Sequence, residues 1–233
     1  MNIKDKHIIV LGYSSNIAQD AVMKFNKLNQ IIGTYNSNKP DINMKNIDTY
    51  QLDLKNENEI ISFVNSIKDN LSNVVVINFA AYKQDSLVMN QDIESWKKTF
   101  DINVNSNFLI TKHLLPIMIQ NKWGRIIHIS SERGIRGSKG STAYSASKSA
   151  LHGFNRSLAK EYARFGISSN VISLGYFDSG LYRKLDKDMQ KQFVESVPSK
   201  RLGTSNDIYH AISFLILSSY TNGSVITIDG CME

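Results

Sequence analysis

Short apolar runs alternate with longer segments carrying an apolar stripe along the whole chain, and this alternation restricts the fold more than any other feature. Strands are predicted at 7–11 (HIIVL), 30–35 (QIIGTY), 48–52 (DTYQL), 73–78 (NVVVIN), 125–130 (RIIHIS), 168–174 (SSNVISL) and 224–228 (SVITI). Helices are predicted over 15–28, 56–70, 92–121, 142–165 and 205–219, with caps such as Asn56 ahead of Glu59 and Ser205 ahead of Ile208. Right-handed crossovers between such strands predict an α/β fold: a three-layer, doubly wound, seven-stranded parallel sheet with helices on both faces. Residues 175–200 stand outside the alternation. There Phe177, Leu181, Tyr182, Met189, Phe193 and Val197 form an irregular apolar series that reads as a lid.

At 233 residues and 42% apolar content, one sizeable core and a single domain over 1–233 are expected. The first residues are charged and the apolar run at His7–Leu11 is too short for a secretion signal or a membrane span, so a soluble cytoplasmic protein without a membrane partner is expected. Cys231 is the one cysteine, and the five histidines show no pair at metal-ligand spacing, so no metal is expected. The net charge of +6 suits an anionic ligand or an acidic carrier protein. Its lysines are scattered, without a basic helix face or aromatic interleaving, which argues against nucleic acid. Lys122, Arg125 and Arg164 are candidates for a basic surface facing such a carrier.

In a parallel sheet, ligands bind beyond the carboxyl ends of the strands, so the residues after each strand carry the chemical information. After the first comes Gly12-Tyr13-Ser14-Ser15-Asn16-Ile17-Ala18, where a small turn residue lets backbone approach a pyrophosphate ahead of a helix N-terminus. A plain strand-to-helix turn reads the same way. Asp53, in Leu52-Asp53-Leu54, suits either an adenine amino group or a turn. Asn78-Phe79-Ala80-Ala81 ends the fourth strand, and Asn103 lies within a helical pattern that asparagine disfavours. Either asparagine also reads as an ordinary surface residue.

The densest constellation is Ser130-Ser131 at the end of the fifth strand, followed by Tyr144-Ser145-Ala146-Ser147-Lys148 at a helix start. Residues four apart share a helix face, so Lys148 is expected beside the Tyr144 phenol, lowering its proton affinity. Ser131 is placed to hydrogen-bond a carbonyl or alcohol oxygen during proton transfer.

With these residues assembled, the chain resembles the short-chain dehydrogenase/reductase family from about Lys6 to Gly230, and is most similar to its 3-oxoacyl-acyl-carrier-protein reductases. The likeness is carried by Ile31-Ile32-Gly33-Thr34, Asp85-Ser86-Leu87-Val88-Met89, Gly124 through Ser131, and Val197 through Gly203. It implies a Rossmann fold, a catalytic tetrad of Asn103, Ser131, Tyr144 and Lys148, and an asparagine backbone that holds a water linking Lys148 to solvent. It further implies cofactor contacts at Gly12, Ser14, Ser15, Asn16, Ile17, Asn36, Ser37, Asp53, Leu54, Asn78, Ala80, Tyr144, Lys148 and Gly175. A homotetramer or homodimer is expected, with the helices at 92–121 and 142–165 packed across subunits. The implied reaction is NAD(P)H-dependent reduction of a carbonyl to a secondary alcohol, on a small molecule or an acyl group held by a carrier protein.

The end of the second strand reads Tyr35-Asn36-Ser37-Asn38-Lys39, with no acid until Asp41. An acid there would bind a ribose 2′-hydroxyl and repel a 2′-phosphate, so NADP(H) is expected over NAD(H). The chain departs from the family at Leu11 (threonine), Asn16, Ala18, Ala81 and Cys231 (glycines) and Leu174 (proline). Asn16 is expected to tolerate positive φ. The alternatives are an enzyme of secondary-metabolite or surface-sugar synthesis, with the apolar lid favouring an acyl or hydrophobic ketone, or a non-catalytic cofactor-binding regulator.

Overall fold

The computed structural model describes all residues except 1–2, 43, 179–181, 185 and 233. The lid residue Leu181 is therefore outside the described residues.

Seven strands form one parallel sheet: β1 (His7–Leu11), β2 (Gln30–Tyr35), β3 (Ile47–Gln51), β4 (Val74–Asn78), β5 (Gly124–Ser131), β6 (Ile167–Leu174) and β7 (Val225–Ile228). Their spatial order is β3-β2-β1-β4-β5-β6-β7. The order reverses at β1, whose two sides pair with β2 and β4, leaving a crevice beyond their carboxyl ends.

The central strands β1, β4 and β5 are rich in β-branched residues and buried on both faces, and their period of two divides the core. Ile8, Val10, Val75, Ile77 and Ile127 pack on one face against α1 (Asn16–Val22). Ile9, Leu11, Val74, Val76 and Ile126 pack on the other against α2 (Glu57–Ile67). The predicted 92–121 helix is α3 (Ile93–Phe100), a π-helical segment (Asp101–Asn105) and α4 (Ser106–Gln120) in continuous succession. A short α5 (Arg133–Arg136) precedes α6 (Thr142–Tyr162).

The stretch read as an irregular lid contains α7 (Lys187–Ser196), whose N-cap Asp186 accepts the Met189 N–H at 2.8 Å. Several of its apolar residues pack internally, whereas Met189 stays exposed. Phe177 and Val197 belong to the core, Phe193 stacks edge-on against Tyr176 at 4.8 Å, and the Tyr182 hydroxyl donates to the Gln190 carbonyl at 3.1 Å. The last helix, α8 (Ser205–Leu217), begins after Thr204 rather than at a Ser205 cap. Asp207 accepts from the Thr204 backbone N–H and hydroxyl, both at 2.8 Å, and closes a capping box. Asn56 caps α2 as expected, accepting from the N–H groups of Asn58 and Glu59. Among the described residues no helix is long and apolar enough to cross a membrane.

Candidate active site

Because every strand runs the same way, the residues expected to bind or react converge on one edge of the sheet. Gly12 leaves β1 at φ +76°, and a Cβ on it would lie 2.7 Å from the Ala80 backbone. Only glycine combines that left-handed conformation with so close an approach. The Ser15 N–H closes the turn onto the Gly12 carbonyl at 3.2 Å, and Ser15 is the N-cap of α1. Asn16 is the first residue of α1 and is not among the residues with positive φ, so its tolerance of that conformation is not called on. Ser14 is exposed and Ile17 half-buried on the same loop.

Asn36 and Ser37 are exposed just past β2. Beyond β3, Asp53 accepts the Lys55 N–H at 3.0 Å, which makes it a turn residue, while Leu54 is buried behind it. The side chain of Asn78, at the end of β4, accepts the Ala80 N–H at 2.9 Å, and its buried Nδ2 has no partner. Gly175, after β6, donates its N–H to Ile228 at 3.0 Å. A small-residue cradle at Gly12, an orphaned amide on Asn78 and an acid-free β2 terminus suit a dinucleotide lying across the crevice. Beside this loop, Asp178 and Arg183 line a pocket with Asn16 and Ile17, paired through two hydrogen bonds at 2.8 and 3.0 Å.

The four residues of the expected tetrad come from three elements meeting at the end of β5. Asn103 sits in the π-helical segment and is fully buried. Its side chain accepts the Tyr82 N–H at 2.7 Å and donates to the Tyr82 carbonyl at 3.0 Å and the Ser147 hydroxyl at 2.9 Å. Its carbonyl accepts from Asn107 Nδ2 at 2.8 Å. Asn107 in turn meets His128 Nδ1 at 2.9 Å, and His128 Nε2 lies 3.3 Å from the Ser169 hydroxyl. Burial, aided by the Lys148 charge, lowers the His128 pKa to about 3, so the ring is neutral.

Ser131 ends β5, and its hydroxyl accepts the Arg133 N–H at 3.3 Å. Tyr144 and Lys148 share one face of α6. Lys148 Nζ donates to the Ile129 carbonyl at 2.8 Å and lies 5.7 Å from the Tyr144 ring centre. α5 reaches this point because Gly134 has no side chain; a Cβ there would lie 2.9 Å from the Lys148 backbone.

Burial lowers the Lys148 pKa to about 8. Burial also raises that of Tyr144, opposed chiefly by the Ser131 hydroxyl and then by the Arg133 charge. The expected lowering of the phenol by Lys148 is thus reversed in the chain alone, because desolvation outweighs the local stabilisation of phenolate.

Charged residues beside Ser131 and Tyr144 formed no part of the expected site. Glu132 is buried, Arg133 donates to the Ser141 hydroxyl at 2.8 Å, and Ser141 donates to Asp85 at 2.6 Å. Two charges directly after a strand end were the available signal. Of the proposed carrier-facing cations, Lys122 and Arg164 are exposed, but Arg125 is buried, its guanidinium donating to the carbonyls of Gly124, Gly166 and Ile216. It therefore belongs to no surface.

With this sheet order, glycine turn and Ser-Tyr-Lys cluster in place, the chain belongs to the short-chain dehydrogenase/reductase family and is an NAD(P)-dependent oxidoreductase. Residues 17–233 match the family described as Enoyl-(Acyl carrier protein) reductase. The chain is 32% identical to the 3-oxoacyl-[acyl-carrier-protein] reductase FabG of Buchnera aphidicola subsp. Schizaphis graminum, covering 100% of this chain and 99% of that protein. It is 33% identical to the FabG of Buchnera aphidicola subsp. Baizongia pistaciae with the same coverage. It is 35% identical to nodulation protein G of Azospirillum brasilense, over 67% of this chain and 64% of that protein.

Proposed function

We propose that the protein reduces a ketone to a secondary alcohol with NADPH, using Ser131, Tyr144 and Lys148, with Asn103 holding the frame. A dinucleotide held by these residues would supply the hydride that the carbonyl carbon takes. The Ser131 hydroxyl holds the carbonyl oxygen, and Tyr144 Oη gives that oxygen its proton. Lys148 then restores the phenolic proton. The observation that carries this reading is the convergence of Ser131, Tyr144 and Lys148 at the end of β5, beside the Gly12–Ala80 crevice.

Gly12, Ser14, Ser15, Asn16 and Ile17 hold the pyrophosphate in this account; Asn36 and Ser37 take the ribose 2′-phosphate, Asp53 and Leu54 the adenine, and Asn78, Ala80 and Gly175 the rest of the cofactor. The chain acts as one domain, with 175–200 as its lid. It works in the cytoplasm as a homotetramer or homodimer.

The relatives' names suggest a 3-oxoacyl group on acyl carrier protein as substrate. A second reading, a polar ketone of another biosynthetic route, is favoured by the charges at Glu132 and Arg133. Monitoring NADPH and NADH oxidation with acetoacetyl-carrier protein and with a panel of ketones tests the reading. Turnover of a ketone with NADPH ahead of NADH is expected; no turnover of any carbonyl would overturn it.

A further inference from the structure

Ser141 is the N-cap of α6, the helix that carries Tyr144 and Lys148, and its carbonyl accepts the first helical bond from the Ser145 N–H at 2.8 Å. Serine favours this position because its hydroxyl ordinarily accepts an N–H of the first turn. Here the hydroxyl makes no such bond. The residue is 1% exposed, and its hydroxyl donates instead to Asp85 Oδ1 at 2.6 Å and accepts from Arg133 Nη1 at 2.8 Å. The helix gives up a local cap for a bridge between two other segments.

Each of those segments leads back to a member of the tetrad. Arg133 follows Ser131 by two residues; its backbone N–H donates to the Ser131 hydroxyl at 3.3 Å while its side chain reaches Ser141. One residue thus touches the end of β5 with its backbone and the start of α6 with its guanidinium. Asp85 lies on the loop after β4. That loop is held at Tyr82, whose N–H and carbonyl both pair with the Asn103 side chain at 2.7 and 3.0 Å, and at Ser86, whose N–H donates to the Gly140 carbonyl at 2.7 Å. Lys83, 2.7 Å from Asp85 Oδ2, and Arg133, 3.8 Å from Oδ1, flank the carboxylate.

We infer that Ser141, Arg133 and Asp85 form a tie that sets the spacing between the Ser131 hydroxyl and the Tyr144 phenol, which makes them positioning residues for proton transfer. Through the Ser141 hydroxyl, Ser131 is joined to α6 by way of Arg133, and Asn103 by way of Tyr82 and Asp85. Hydrogen bonds to a carboxylate or from a guanidinium are short and directional, which suits them to fix a spacing. Their contribution to stability is small, because the Lys83 and Asp85 side chains are 38% and 54% exposed and such pairs are worth little in water. Their contribution to rate is larger, since displacing a reacting group by an ångström costs up to about 100-fold.

The inference rests on the proposed reductase chemistry, in which Ser131 and Tyr144 share the carbonyl oxygen. NADPH oxidation is measured with 2-butanone, ethyl acetoacetate and the N-acetylcysteamine thioester of acetoacetate, and the carbonyl that the wild type reduces fastest is used for Asp85→Ala, Asp85→Asn, Ser141→Ala and the double variant Asp85→Ala/Ser141→Ala. In each single alanine variant kcat is expected to fall about 10- to 100-fold. KM and the dissociation constant for NADPH are expected to stay within about threefold, and the melting temperature within about 2 °C. Asp85→Asn keeps an oxygen that accepts from Ser141, so its kcat is expected to stay within about threefold of the wild type. Because both residues act through one bond, the double variant is expected to lose no more than the worse single one.

Alanine variants that keep kcat within about threefold overturn the inference and leave the reductase reading intact. So does an Asp85→Asn variant no better than Asp85→Ala, or a loss of kcat accompanied by a matching fall in melting temperature. A rise in KM alone makes Asp85 a wall of the substrate pocket and overturns it as well. Absence of turnover with every carbonyl in the wild type overturns both readings.

Discussion

Asn107 Nδ2 donates to the backbone carbonyl of Asn103 at 2.8 Å, within the stretch where the long helix widens into a π turn. The wider turn alters the helical pairing at this carbonyl, and such turns recur at functional sites. The same amide's oxygen meets His128, so one side chain joins the frame of the active site to the middle of β5. Asn107→Ala leaves both partners short of a bond. A stability loss of roughly 2–6 kcal/mol is expected, at about 1–3 kcal/mol per buried unpaired group, measurable by urea denaturation.

His128 makes the fold acid-sensitive. Its folded pKa of about 3 lies below the 6.5 of an unperturbed histidine, so between those values the unfolded chain binds a proton that the folded chain does not. Stability contributed by this group is intact above pH 6.5 and falls by about 1.4 kcal/mol per pH unit below it. His128→Asn should flatten that slope in denaturation curves recorded between pH 4 and pH 7.

Lys148 trades stability for chemistry. Lowering its pKa from 10.5 to about 8 is a cost on the order of 3 kcal/mol to the charged form, at about 1.4 kcal/mol per unit. The unfolded chain holds the extra proton between those values, so stability rises as pH increases from 8 to 10.5, and the full cost applies below 8. Lys148→Met should therefore lose at least about 100-fold in kcat while melting no lower than the wild type at pH 7. In the wild type, kcat should decline as pH rises through about 8 and the ammonium is lost.

Gly12 tests the cradle. In Gly12→Ala the new Cβ meets the Ala80 backbone at 2.7 Å, in a backbone conformation with φ +76°. Strain of roughly 1–3 kcal/mol and a weakening of NADPH binding by at least about tenfold are expected by fluorescence titration.

The sheet was legible because β1, β4 and β5 are β-branched runs buried on both faces, a pattern with few alternatives. Ser131, Tyr144 and Lys148 were legible because a strand end and a helical spacing of four place them together. The helix at Lys187–Ser196 was not legible, although Met189, Phe193 and Val197 recur every fourth residue behind the Asp186 cap, because Phe177, Leu181 and Tyr182 upstream do not continue that stripe and the whole stretch reads as irregular. Nor were Glu132 and Arg133, since two charges after a strand read locally as a solvated loop, and only packing against α6 and Asp85 brings them to the site. Arg125 looked like a surface cation because sequence does not reveal the three carbonyls that surround it.

The most direct test of the proton-transfer assignment is Tyr144→Phe, assayed for NADPH-dependent ketone reduction and for NADPH affinity. A fall in kcat of about 1,000-fold is predicted, within the range ascribed to a positioned acid, with the dissociation constant for NADPH unchanged within about twofold. A variant that retains activity within about threefold of the wild type would contradict the account.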